Sequence, residues 1–537
     1  LTALGVAVPL TGDDNYNSRI EVRYRAAGEE AWRNALPLFR VRPETVSGWK
    51  ARPQFAGSIF DLVPATTYEI ELRAIDLDSE VDSTWLLTAA TRPVPGGPGS
   101  PNEKRVSDAR ELSAALAAAR PGDVILLANG IYTGQFGIRA SGEPGNPIVI
   151  RGESQDGAVL DGSGCTGCNV LEVYGSFVYL ERLTIRNGLR ALRFQGSGAE
   201  GNVVRRVTIR DTTLGIGSRE NQKDFYICDN VFEGRLPWPS TYFDDNGTHA
   251  NDDGIRVQGF GHVVCYNRIS GYGDAIKTEQ DGARAIDFYG NDVLYTYDNG
   301  LELDGGEGNL RAMRNRFTNN FVPLSVQPVY GGPAYLIRNV ALNAVHEQMK
   351  FHALGGNPPR NPSGILAFHN TFVSPGLALN LQTTATSHHF VVVNNLFIGP
   401  EKPAAGLTVD WTGRIDNGVF DYNGYFPDGR FRFSRTFPNF AAVQESGVET
   451  HGALLNGRIF LNGLIAPADY KSLLAPDEAV IGADSPAVDR GVALPGINDR
   501  FTGAAPDLGA HEAGCPAPLY GPRPEGVDES NMPRCPD

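Results

Sequence analysis

The sequence predicts an all-β chain whose larger part is a parallel β-helix, and three observations carry that reading. Eight asparagines recur along the middle of the chain, each one or two residues ahead of an apolar or aromatic residue: Asn230, Asn267, Asn291, Asn315, Asn339, Asn370, Asn395 and Asn423. The steps between them are 37, 24, 24, 24, 31, 25 and 28 residues, and such a period marks a solenoid in which each repeat is one supersecondary unit. Each unit reads as short alternating apolar runs split by Gly, Asn and Asp, the pattern of strands and not of helices. Composition agrees: 41% hydrophobic and 20% charged residues with 63 Gly and 36 Pro suit a turn-dense β protein. The asparagine side chains are expected to stack inside one turn and satisfy backbone groups there, the longer steps being insertions looped out of a coil.

At 537 residues the chain is expected to hold two or more units. No apolar stretch approaches the ~20 residues of a membrane-spanning helix. A formal net charge of −15 argues against DNA or RNA as a partner. The first residue is Leu, which fits a processed, exported chain. Cys228 and Cys265 occupy equivalent slots in "YICDNVF" and "VVCYNRI", so successive coils place one above the other. Strands pair ~4.8 Å apart, within the roughly 4.4–6.8 Å that a disulfide needs between Cα atoms. Cys165 and Cys168 share a Gly-rich turn, and Cys515 and Cys535 bracket a Pro-rich tail. Three disulfides in a secreted or cell-surface protein are expected, with buried free thiols as the other reading. The pairs are too scattered for a four-ligand zinc site.

Along the chain, residues 1–92 stand apart. "RIEVRYRAAGEEAWRNA" (19–35) alternates as a strand pair, with Trp32 as a core candidate. Leu62, Pro64, Thr66 and Tyr68 follow in an L-x-P-x-T-x-Y corner before another alternating strand, which resembles a fibronectin type III domain. That resemblance implies a β-sandwich that spaces or docks its neighbours. A Pro/Gly linker occupies 93–104. "SDARELSAALAAARPGD" (107–123) reads as a helix started by Ser107 or Asp108 and stopped by Pro-Gly, and "VILLANGIYTG" (124–134) begins the strands. Together with "PIVIRGESQDGAVLDG" this stretch resembles the opening of secreted right-handed β-helix proteins, including alginate and chondroitin lyases. The resemblance implies a helix plugging the open end of a solenoid over 105–440. The run "DSPAVDRG…INDRFTGAAPDLGAHEAG" (484–514) resembles the closing segment of that superfamily, within a C-terminal segment and disulfide-stapled tail over 441–537.

Aligning the coils on the asparagines puts one strand of each turn in register. Leu, Ile and Met point inward, so by alternation the residues between them face out. The outward column reads Arg193, Gly217, Arg256, Lys277, Glu302, Ser325, Lys350, Asn380; two residues on, a second reads Gln195, Arg219, Gln258, Glu279, Asp304, Gln327, His352, Gln382. Asp253, Asp274 and Asn299 precede the first column on three consecutive coils. The long insertions 235–251 and 352–363 flank these turns, and Trp238 and Tyr242 suit a wall that stacks on sugar rings.

Cations, carboxylates and a histidine on the same few turns point to chemistry on an acidic polysaccharide. β-Elimination on a uronate needs its carboxylate neutralised, a base for the C5 proton and an acid for the leaving oxygen. Arg256 or Lys277 can clamp the carboxylate, and Lys277 can be the base if its pKa is lowered; Glu302 completes the catalytic set. Arg193, Arg219, Trp238, Tyr242, Lys350 and His352 are candidate substrate contacts. Asp253, Asp274, Asn299 and Glu279 offer oxygen ligands for one Ca²⁺. Two other functions remain open. "NDDGIR…GDAIK…DNGLEL" resembles the motifs that polygalacturonases carry on successive coils, with Asp253 on the first and Asp274 on the second, which implies a hydrolase. A non-catalytic glycan-binding or self-assembling matrix protein would use the same faces as a rigid surface. The arginine–histidine–glycine segment of the lyases is replaced here by "LDGG" (303–306).

Overall fold

Parallel strands stack from Asn102–Val106 to Ala453–Leu454. The computed structural model describes residues 1–43, 52–78, 81–163, 165, 167–278, 282–356, 359–403, 406–533 and 535. The strands wind into a right-handed parallel β-helix with three ladders. The first ladder includes Tyr226–Cys228, Val263–Cys265, Asp287–Tyr289, Leu310–Met313 and Tyr330–Ile337. The second includes Val231–Glu233, Arg268–Ser270, Asp292–Leu294, Arg316–Thr318 and Val340–Leu342. The third includes Asp253–Val257, Asp274–Thr278, Asn299–Glu302, Val322–Ser325 and Met349–Lys350. The end of the expected linker, Asn102–Val106, is itself a strand paired parallel to Asp123–Leu127.

The predicted asparagine row exists, buried at the corner between the first and second ladders. Asn291 is typical: its Nδ2 donates to Val264 O at 3.0 Å and to Asn315 Oδ1 at 2.8 Å, and its backbone N–H donates to the same Oδ1 at 3.1 Å. The row begins where Val207 N–H donates to Asn230 Oδ1 (2.9 Å) and ends where Asn423 donates to both Glu449 oxygens, at 3.2 and 2.7 Å. It thus satisfies backbone groups that a buried corner would otherwise strand. The contact is unchanged across the long steps, 2.9 Å for Asn230 to Asn267 and 2.8 Å for Asn339 to Asn370. The inserted residues leave at other corners: 235–251 between the second and third ladders, 352–363 between the third and first.

The helix Ala109–Ala117 is capped by Asp108, which accepts Glu111 N–H at 2.7 Å, and Leu112 and Leu116 enter the solenoid core. It closes the end as expected. The described residues of 1–92 form two antiparallel sheets around their own core of Val22, Tyr24, Leu62, Ile70 and Leu72. Tyr68 Oη takes the Val63 N–H at 2.9 Å, fixing the predicted corner. Trp32 is not in that core; it lies half-buried with the Arg23 and Arg25 guanidiniums 4.9 and 4.5 Å from its ring centre. Disulfides join Cys165 to Cys168, Cys228 to Cys265 and Cys515 to Cys535. Among the described residues no helix is long and apolar enough to cross a membrane.

Two ladders are covered from outside. The outward positions of the first are mostly apolar around a buried Arg311–Asp287 pair, and Val203, Tyr226, Tyr289, Met313 and Tyr335 pack in one cluster with Leu1, Phe60 and Ile497. Tyr335 Oη accepts Ser58 N–H at 3.1 Å, Arg314 grips Asp61 at 2.7 and 2.9 Å, and the tail residue Arg523 grips Asp229. On the second ladder Val340, Leu342, Leu396 and Ile398 are buried beneath Leu455, Ile459 and Leu508. The third ladder, whose outward column is charged, has no such apolar cover among the described residues.

Candidate active site on the third ladder

Pairing across the third ladder runs Arg193–Gly217–Arg256–Lys277–Glu302–Ser325–Lys350, the predicted outward column in register. The column breaks after Lys350: Asn380 pairs with Asp410 on a separate sheet and donates its N–H to Gln348 Oε1 at 2.6 Å. The charged heads do not stand free in solvent as expected. Lys277 keeps only 12% of its side chain exposed and Arg256 22%. With coils ~4.8 Å apart, long cationic side chains fold back onto carboxylates of their own and the neighbouring coil, and partial burial strengthens that attraction.

The result is a continuous network. Arg256 binds Asp253 Oδ2 through Nε at 2.7 Å and also through Nη2. Lys277 Nζ lies 3.3 Å from Asp253 Oδ1 and 2.9 Å from Asp274 Oδ2. Asn299 Nδ2 donates to Asp274 Oδ1 and Glu302 Oε2, both at 2.9 Å, and Asn299 Oδ1 accepts from Lys350 Nζ at 3.2 Å. The oxygens expected to hold Ca²⁺ are therefore engaged, and the Lys277 ammonium lies between the two aspartates that a cation would bridge. The fourth expected ligand, Glu279, lies outside the described residues. Among the described residues, the metal-capable triplet found is Cys228, Cys265 and Glu529, and its thiols form a disulfide.

Electrostatics revise one role. Burial alone would lower the Lys277 ammonium, but Asp274, Glu302 and Asp253 outweigh it and hold the pKa above the ordinary lysine value. That is the reverse of the lowered pKa a lysine base needs. The carboxyls move the opposite way. Burial, opposed by Lys277 and reinforced by Asp274, raises Asp253 to about 7, and burial with repulsion from Asp274 raises Glu302 well above the usual range. Such groups titrate as a set.

Sequence reasoning missed Asp298. It stands half-buried at the corner entering the third ladder, and burial first, then Asp274, push it up to about 7 against the pull of Lys350 and Lys277. Its carboxyl forms no hydrogen bond among the described residues. The signal available in the sequence was the position before each corner residue (Asp252, Gly273, Asp298), which does not repeat. Asp304, from the second column, is buried, accepts from Ser325 Oγ at 2.8 Å and Gln327 N at 2.6 Å, and is raised by burial to about 6.

The expected substrate contacts divide. Tyr242 stacks on Phe321 at 6.1 Å, and Phe243, 63% exposed, meets Phe321 and His346 edge-on at 4.8 and 5.0 Å. Phe321 precedes a third-ladder strand, so this aromatic wall borders the charged column. Trp238 is elsewhere, packed on Tyr295 and, edge-on, on Tyr470 of the C-terminal segment. The Arg193 guanidinium lies over Gly217, where a Cβ would come within 2.7 Å of it. Arg219 is exposed and donates to Gln195 Oε1 at 2.7 Å. His352 Nε2 contacts the buried Glu347 Oε1 at 2.9 Å and lines a cleft of about 230 Å³ with Asn361 and Thr383.

Residues 106–200 match the Chondroitinase B family model. The matched coils precede the charged strands of the site. Among solved structures, the alginate lyase from Paenibacillus sp. str. FPU-7 is similar at 19% identity over 59% of this chain and 98% of its own, with a TM-score of 0.36. A polysaccharide lyase from Pseudopedobacter saltans is similar at 10% identity over 58% and 91%, with a TM-score of 0.35. The A-module of an Azotobacter vinelandii mannuronan C-5 epimerase is similar at 13% identity over 61% and 91%, with a TM-score of 0.33. No curated protein matches the chain.

Proposed function

We propose that this is an exported carbohydrate-active enzyme that binds an acidic polysaccharide along the third ladder and cleaves it by β-elimination. The observation that carries the reading is Asp298: a half-buried carboxyl poised near neutral pH, flanked by the Lys277 and Lys350 ammoniums and next to an exposed aromatic wall, on the ladder left open. A general base works best with a pKa near the working pH. In this reading Arg256, Lys277 and Lys350 neutralise the uronate carboxylate. Ionised Asp298 takes the C5 proton, the C5–H electrons form the C4–C5 double bond, and the C4–O4 bond breaks. The leaving oxygen takes its proton from Glu302, which burial keeps protonated. Tyr242 and Phe243 stack on sugar rings. The similarity of 106–200 to Chondroitinase B and the disulfides support a glycan-acting, exported protein. The N-terminal module is read as a fibronectin type III-like docking unit.

A second reading, hydrolysis, is favoured by the excess of carboxyls over cations in the cluster, since a raised acid paired with an ionised carboxylate is the glycosidase requirement. A panel of uronate polymers separates the two. Elimination gives unsaturated, ultraviolet-absorbing ends together with reducing ends, and hydrolysis gives reducing ends alone. Lys277→Ala and Arg256→Ala should suppress either product. No product from any polymer would leave only the binding-surface reading.

A further inference from the structure

The open ladder changes charge along its length. On the coils that carry the raised carboxyls, Asp253, Asp274, Asp298, Glu302 and Asp304 are set against Arg256, Lys277 and Lys350. The four coils before them are cationic. Their third-ladder segments, 136–139, 169–174, 190–195 and 212–219, hold Arg139, Arg190, Arg193 and Arg219 against one carboxylate, Glu172, with Asp211 and Glu220 exposed at the margins. The register shows how this arises. Each coil presents two positions three residues apart, and on successive coils these read Asn169 and Glu172, Arg190 and Arg193, Leu214 and Gly217, Asp253 and Arg256, Asp274 and Lys277. Where the later coils set an acid beside a base, the Arg190 coil sets two cations side by side.

These guanidiniums are held in place but not neutralised. Glu172 accepts from Asn169 Nδ2 at 2.6 Å, Tyr174 Oη at 2.8 Å and Gln195 Nε2 at 3.0 Å. Arg139 is exposed, its guanidinium 4.2 Å from the centre of the Tyr174 ring. Arg219 is exposed and donates through Nε to Gln195, and Gly217 leaves room for the Arg193 guanidinium to lie along the column. Among the described residues Arg139, Arg190 and Arg219 have no carboxylate within ion-pair distance. On the covered ladders, by contrast, Arg151 and Arg205 share Glu181, Arg186 holds Asp161, and Arg268 and Arg316 share Asp292. The chain carries 62 acidic against 47 basic residues, so cations without partners gathered on one open face run against its composition. We propose that these four coils are the long arm of the groove, which takes a run of consecutive acidic sugars on one side of the cut. Their carboxylates lie on Arg139, Arg193 and Arg219, whose planar forks match that group. Coils ~4.8 Å apart put Arg139 about 24 Å from Lys277, five steps along the ladder. The polymer therefore lies along the solenoid axis and is cut within its length. This rests on the third ladder as the glycan site and adds the direction and charge of the bound chain.

The test is calorimetry with oligogalacturonates and oligomannuronates from dimer to octamer, on the full chain carrying Asp298→Asn to suppress cutting, with neutral cello-oligomers as the control. Affinity should rise with length for at least one acidic series and not for the neutral one, and the rise should shrink with added salt. Arg139→Gln, Arg193→Gln and Arg219→Gln together should weaken octamer binding roughly 10–100-fold while the dimer stays within about 2-fold. If that triple variant does not fold, Arg219→Gln alone, at an exposed side chain, should weaken octamer binding about 2–5-fold. No binding by either acidic series, affinity independent of length, equal binding of the neutral series, or an octamer held equally by parent and variants overturns the arm, and cleavage by the wild-type chain is then judged on its own products. Length-dependent binding that the arginine variants lose, with no product from any polymer, keeps the arm and removes the elimination chemistry.

Discussion

The first and third ladders are built from the same strand repeat and share one core, yet their outward columns have opposite fates. On the first ladder the outward positions are mostly Val, Tyr, Cys and Met around a buried Arg311–Asp287 pair, and the chain covers them with its own N-terminal module and tail. On the third it is Arg, Lys and Glu, set among carboxyls that burial and mutual repulsion push upward. Placing charges in a half-dry setting costs stability even when they are paired, so an uncovered charged ladder is not explained by folding alone. Strongly perturbed groups gathered in one place make a candidate working site. The difference teaches that the β-helix supplies columns, and side-chain chemistry assigns each one to scaffold or to function.

That contrast can be broken in several ways. The largest effect is expected at the scaffold corner. Asn315→Ala removes contacts to Phe288 O, Asn339 Oδ1 and the Asn291 amide and backbone N–H. At ~1–3 kcal/mol for each buried group left unsatisfied, denaturant unfolding should lose roughly 3–5 kcal/mol; a loss below about 1 kcal/mol would show that the row is not what holds the coils. Next, Asp298→Asn should lower kcat about 10²–10³-fold with little change in KM, and retained activity would remove Asp298 from the mechanism. Third, stability should depend on pH through the third ladder. Folded Asp253 and Asp298 titrate at about 7 and Asp304 at about 6, against 3.8 ordinarily, so the folded state holds more protons through that window. Their contribution is full below pH 3.8 and is lost as pH rises through about 6 to 7. The melting temperature should fall over that range, less steeply in Asp298→Asn; identical slopes would contradict the raised pKa. The smallest effect is Phe243→Ala, expected to raise KM about 2–10-fold through lost stacking while kcat holds.

Much of this was legible in the sequence because it repeats. The asparagine steps gave the coil pitch, the pitch gave the register of Arg256, Lys277 and Glu302, and the same register placed Cys228 over Cys265. Depth was not legible. A one-dimensional column shows that Lys277 has acidic neighbours but not that three of them outweigh its burial. A residue whose partner lies far along the chain was also misplaced: Trp238 finds Tyr470. Asp298 stayed hidden because the residue before each corner carries no repeating pattern.

The asparagine row has a consequence for engineering. It keeps the same amide contacts whether 24 or 37 residues separate its members, so the pitch of the coil is independent of how much chain is spent between coils. Segments exchanged at 235–251 would therefore alter what the groove wall presents without retuning the turns beneath it. What the open ladder presents is thus set by interchangeable parts mounted on a fixed thread.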